Sequence, residues 1–171
     1  MAFASLYVVP VLASPDRRPS ILAFGRPAGS HVYDNPNLIA RFFSFVPDGV
    51  QDLVAPPLSE VLASLRTLNG TDIDTAAVTL HNGDTMDIGG GNGRLICHAR
   101  TNGRFLHLAN PSCPLDETDL VSISMNEEIN TYPRCYIVPL EMVERAVEYF
   151  CRTGSLNHEL LWDDTLTFEP L

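Results

Sequence analysis

Lysine is absent from this 171-residue sequence. All 11 basic residues are arginine, set against 21 aspartates and glutamates, for a net charge of -10. Binding to DNA or RNA depends on Lys and Arg displacing counterions from phosphates, so this balance argues against direct contact with nucleic acid. No segment approaches the roughly 18 uncharged apolar residues of a membrane-spanning helix, and a soluble chain without a membrane partner is expected. The opening MAFASLYVVPVLA has an apolar run of signal-peptide length, but no Lys or Arg precedes it and Pro10 interrupts it. A cytoplasmic protein is the expectation. The four cysteines, Cys97, Cys113, Cys135 and Cys151, contain no CxxC and no closely spaced metal-ligand pair. They read as buried free thiols, with no metal or cofactor expected.

Catalytic signatures are missing as well. No HExxH, GxSxG or Cys-His pattern joins His31, His81, His98, His107 and His158. The glycine run DIGGGNGR lacks the final glycine of GxGxxG and leads into a strand, where a phosphate cradle must open a helix. It reads as a wide hairpin turn.

The charge that is present is unevenly placed. From Asp116 to the end, 12 acidic residues face only Arg134, Arg145 and Arg152, whereas residues 1–115 carry 9 acids and 8 bases. The carboxyl-terminal third can therefore build a one-signed face, which attracts a basic protein partner; plain solubility is the other reading of the same charge.

The length suits one domain, residues 1–171, with a less regular extension over 1–55 and a core over 56–171. Strands are expected at 5–13 and 20–25, and NPNLIARFFSFVPDG is open between helix and strand. In APPLSEVLASLRTLNG, Leu58, Val61, Leu62, Leu65 and Leu68 recur at helical spacing, with Pro57 in the first turn and Gly70 placed to stop the helix. A meander follows: AAVTL, the turn at Asn82-Gly83, TMDI, the glycine turn, RLICHAR, the turn TNG, and RFLHLA. LVSISM and RCYIVP read as two further strands joined by a polar connector, NEEINTYP. A second amphipathic helix is expected from Pro139 to Arg152, burying Val143, Ala146, Val147, Phe150 and Cys151 and ending at Gly154. HELLWDD then places Leu160 and Trp162 on one face of a last strand or extended tail, with Trp162 an anchor to the core. The sum is an α+β fold, a mostly antiparallel sheet packed with two amphipathic helices.

The run YPRCYIVPLEMVERAVEYFCRTGSLNHELLWDD resembles the end of a family of bacterial immunity proteins from polymorphic toxin systems, the Imm family numbered one. The elements that carry the likeness are Tyr136-Ile137-Val138, the helix from Ala146 to Phe150, Thr153-Gly154, and Trp162-Asp163-Asp164. The upstream pattern over 58–108 is similar to the family's first half. That family includes the partner of a toxin that deaminates cytosine in double-stranded DNA. The resemblance implies a cytosolic protein that binds a cognate toxin, often a nucleic-acid-modifying enzyme, and blocks its active site or substrate groove; the acidic face adds the expectation that this toxin domain is basic, and a monomer or weak homodimer is expected. Such inhibition needs a complementary surface and no catalytic residue.

The candidate contacts are acids in expected loops: Asp116, Glu117, Asp119, Glu127, Glu128, Asp163 and Asp164, with Tyr132 as an aromatic anchor and Phe150, Gly154 and Trp162 as structural anchors. An enzyme or small-molecule binder stays open beside it. Adjacent strands of the expected meander bring Asp87, His98 and His107 within reach of one another, an acid-base set no linear motif reveals, and it would need a pocket lined by His and carboxylate.

Overall fold

The computed structural model describes residues 39–46, 49–114, 116 and 118–164. The strands expected at 5–13 and 20–25, His31 and Glu117 lie outside these residues. Within the open segment, RFFSFV is a strand, β1 (Arg41–Val46), antiparallel to β2 (Gly49–Val54) on one side and to β3 (Thr75–Thr79) on the other. Its period of two sends Phe42 fully into the core and Phe43 to the opposite face, a pattern a helix cannot produce. With β4 (Thr85–Gly91), β5 (Arg94–Thr101), β6 (Arg104–Ala109) and β9 (Leu161–Asp163), it forms a seven-stranded sheet in the order β2-β1-β3-β4-β5-β6-β9. Every neighbouring pair is antiparallel. The fold is α+β and mostly antiparallel sheet.

Turn chemistry explains the meander. Asn102 and Gly103 both have positive φ (51° and 73°), the two-residue turn whose twist matches its flanking strands. At His81-Asn82-Gly83 only Gly83 is left-handed, and the Leu80 amide bonds to the Asp84 carbonyl across a three-residue loop. The glycine run is not a wide turn. Asn92-Gly93 alone makes the tight turn (φ 53° and 77°), and Gly89–Gly91 continue β4. The reason is crowding: a Cβ on Gly91 would lie 2.0 Å from the Gly70 amide nitrogen, because Asn69 bridges directly to Gly91.

Both helices cover one face of the sheet. α1 (Leu58–Leu65) buries Leu58, Val61 and Leu65; it stops five residues before Gly70, which instead lies against β4. Pro57 stands just before the helix in extended conformation. α2 (Leu140–Thr153) buries the stripe Val143, Ala146, Val147, Phe150 and Cys151, and Gly154 (φ 69°) ends it by returning its amide to the Phe150 carbonyl. Arg66 ties the helices together through Glu144 at 2.6 Å. Beneath them Val78, Met86, Ile88, Cys97 and Leu108 complete the larger core. A fully buried side chain of this size contributes about 1.5–3 kcal/mol.

The other face carries a second, smaller core under a separate hairpin, β7 (Leu120–Met125) and β8 (Glu128–Pro133). Here two expectations are corrected. The polar connector NEEINTYP is largely strand β8, joined to β7 by a tight turn at Asn126-Glu127 (φ 57° and 63°). RCYIVP is a 3-10 turn at Arg134–Tyr136 followed by a single bridge from Val138 to Leu95. Residues Glu128–Thr131 are exposed, so no apolar alternation marks β8 as a strand.

Candidate functional site

The acidic candidates separate by what each touches. Asp119 grips Arg134 through both carboxylate oxygens, at 2.6 and 3.0 Å, and Asp164 pairs with Arg104. Elsewhere in the same third of the chain, Glu144, Glu148 and Glu159 pair with Arg66, Arg152 and Arg145. The one-signed face is therefore narrower than the sequence count implies. Asp116 is exposed but turns inward to its own loop, taking bonds from the Thr118 hydroxyl and amide that hold its pKa below the usual carboxylate range.

Asp163 is not in an exposed tail. Strand alternation in β9 points Trp162 to the main core and Asp163 to the covered face, where it accepts a 2.8 Å bond from the Tyr136 hydroxyl. Trp162 is half-buried and donates its ring N–H to the Asn157 carbonyl. Phe150 is fully buried. Tyr132, expected to stand among exposed acids, is buried in the second core with its ring 5.6 Å from that of His98. It pairs across the ladder with buried Val121, and this register turns it inward.

Glu127 and Glu128 remain. Both are exposed, and neither forms an ion pair among the described residues. They sit at the hairpin tip, held in place by residues that sequence reasoning passed over. Asp74, almost fully buried, accepts bonds from the Ser124 hydroxyl (2.6 Å), the Glu127 amide (3.1 Å) and the Thr75 hydroxyl (2.9 Å). The Thr75 hydroxyl in turn accepts the Asn126 amide at 2.6 Å. Because the latch uses the backbone of Glu127, its carboxylate stays free. Some fifty residues separate Asp74 from its hairpin partners, so no linear spacing announces the pair.

The residues of the enzyme reading do converge. Asp87, His98, His107 and Asp163 occupy directly opposed positions on β4, β5, β6 and β9, one row across the sheet. The two imidazoles are 4.6 Å apart between centroids. His107 is fully buried and stacks on Tyr136 at 4.7 Å; His98 stacks on Phe105 at 5.1 Å. Burial, reinforced by His107, pushes the His98 pKa down to about 3, and burial pushes Asp87 up against the opposing pull of Arg100. A base tuned for work near neutral pH needs a pKa close to 7. At that pH His98 is neutral and walled by aromatic rings.

A shallow, open depression of about 380 Å³ lies elsewhere, between α2 and β9, with His158 and Glu159 on its rim. Glu159 faces Arg145 there, and the His158 ring meets Tyr149 edge-on. Asp87, His98 and His107 do not line it. Among the described residues no three His, Cys, Asp or Glu side chains converge as metal ligands, and no helix is long and apolar enough to cross a membrane. The four thiols are unpaired, and burial pushes Cys151 up to about 12 and Cys97 higher still.

Residues 54–164 match the family described as immunity protein Imm1, well over half of the chain. No curated protein matches the sequence.

Proposed function

Because the chain belongs to the Imm1 family of immunity proteins, we propose that the toxin it binds is a nucleic-acid-modifying enzyme, a deaminase or nuclease, neutralised in the cytoplasm by an acidic surface laid over its active site or substrate groove. An enzyme that acts on DNA or RNA must present a basic groove to hold phosphates. Carboxylates that are exposed and not already paired are the complement of such a groove.

The observation that carries this reading is the hairpin tip, where the adjacent Glu127 and Glu128 are both exposed and have no ion pair among the described residues, while Asp119, Glu144, Glu148, Glu159 and Asp164 are each paired with an arginine. Glu127 also holds a left-handed conformation (φ 63°) in which glycine would be less strained. A side chain kept at a strained turn position is consistent with a role for that side chain.

Co-expression is the direct test. The carboxyl-terminal domain of the toxin encoded beside this gene should arrest growth alone and be tolerated with this chain, and the two should co-purify. Base-conversion or strand-cleavage assays on the purified domain then identify its chemistry. Arrest that persists despite a soluble, folded chain would count against immunity towards that toxin. A toxin acting on lipid or peptidoglycan would overturn the nucleic-acid reading.

A further inference from the structure

Among the described residues the hairpin β7-β8 forms a two-stranded sheet of its own, so β8 pairs there with β7 on one side only. Its hydrogen-bond pattern follows from the turn. A two-residue turn with both residues left-handed makes its flanking pair, Met125 and Glu128, a hydrogen-bonded one, and pairs then alternate along the ladder. Glu128, Asn130 and Tyr132 therefore spend their amides and carbonyls on β7. Ile129 and Thr131 direct theirs outward, away from it. The strand is exposed from Glu128 to Thr131, and Ile129 is 79% exposed, an apolar side chain beside the unpaired carboxylates of Glu127 and Glu128.

Open strand edges are normally blunted by lysine, proline, a bulge or a covering element. The chain has no lysine, and proline enters β8 only at its last residue, Pro133. The outer strands of the main sheet differ. β9 has only three residues, and the acid of β2, Asp52, is bound by Arg41.

We propose, resting on the toxin-binding reading above, that β8 is a strand-addition edge. An extended segment of the toxin with Lys or Arg beside it pairs its backbone with Ile129 and Thr131. Ile129 enters an apolar recess of the toxin, and Glu127 and Glu128 meet the basic side chains. Backbone pairing supplies affinity in this mode, and the flanking side chains supply selectivity. The charge favours this occupant over a second copy of the chain, which would bring its own net -10 to the same edge.

Amide hydrogen exchange on the full chain, free and bound to a catalytically inactivated toxin domain, tests the proposal. In the free protein the Ile129 and Thr131 amides exchange quickly and those of Glu128 and Asn130 slowly. In the complex the first two slow by at least about tenfold, the scale of one net backbone hydrogen bond. Thr131→Pro removes only an outward amide and weakens binding by about tenfold, while Thr131→Ala retains the amide and binds as the parent does.

A toxin that binds while both outward amides still exchange freely overturns strand addition and leaves the toxin-binding reading standing. A folded wild-type chain that does not bind the domain overturns both. Protection that appears in the free protein and rises with its concentration assigns the edge to a second copy and also overturns the proposal. The exchange measurement needs no variant, so a Thr131→Pro chain that fails to fold does not blunt the test.

Discussion

At the scale of single residues, this chain is constrained most tightly where backbones meet. Gly89 and Gly91 lie two positions apart on β4, yet a Cβ on Gly89 would press at 2.7 Å on the flexible side chain of Met125, whereas one on Gly91 would strike the Asn69-Gly70 backbone at 2.0 Å. Side chains rotate away and backbones do not. Gly91→Ala should cost about 3 kcal/mol or more and Gly89→Ala about 1 kcal/mol, read from urea midpoints at unchanged slope. His98 supplies a second contrast. Its folded pKa of about 3 lies below the unfolded value of about 6.5, so the unfolded chain takes up the proton first. Its contribution is therefore complete above about pH 6.5 and falls as the pH drops from there toward 3, by up to about 1.4 kcal/mol per pH unit. Asp87, raised by burial, acts in the opposite sense, its stability lost as pH rises through its folded value. Comparison with His98→Phe isolates the histidine: between pH 7 and 5 the parent should lose stability more steeply than the variant, and parallel profiles would refute the assignment.

At the scale of elements, the hairpin β7-β8 behaves as a part attached at two places, its inner face and its tip. The tip depends on Asp74. Asp74→Ala leaves the Ser124 and Thr75 hydroxyls and the Glu127 amide without their acceptor, at a cost of about 2–4 kcal/mol, and should speed amide exchange at Asn126 and Glu127 before the main sheet is affected. Equal acceleration in β4 and β5 would show that the hairpin is not a separate unit. The same element marks where sequence reasoning stopped. Both helices, the meander from β3 to β6 and the left-handed Gly154 could be read from apolar periodicity and turn residues, because each buries a continuous face. β8 could not, since its inward side chains are few and its turn is Asn-Glu, not Asn-Gly. Misreading it as a connector placed Tyr132 outside and moved the strand assignment to RCYIVP. Strand order alone puts His98 and His107 on adjacent strands with Asp87 on another, but their alignment in one row and its closure by Tyr132 and Tyr136 depend on register and long-range packing that no local pattern encodes.

At the scale of the molecule, charge count and charge presentation diverge. The net charge of -10 suggests a broad acidic face, but arginines from across the chain neutralise many of those acids locally: Arg66 and Arg104 reach Glu144 and Asp164 from distant positions. Among the described residues the exposed acids left without an ion pair include Glu60, Asp72, Asp116 and Glu141, each apart from the others, and the adjacent pair Glu127 and Glu128 at the hairpin tip. Charges that steer diffusional encounter act mainly on the association rate and are screened over about 8–10 Å at physiological salt. Reversing both to Arg changes the local charge by four units and leaves the Asp74 latch intact, because the latch holds the Glu127 amide and not its side chain. The double variant should fold with unchanged cooperativity and associate with the toxin domain about tenfold or more slowly at low salt. Its rate should also depend far less on salt than the parent's. Stopped-flow or surface-binding kinetics across a salt series separates this from loss of contact. A drop confined to the dissociation phase would assign the two glutamates to short-range contact, and unchanged kinetics in both phases would remove the hairpin tip from the interface.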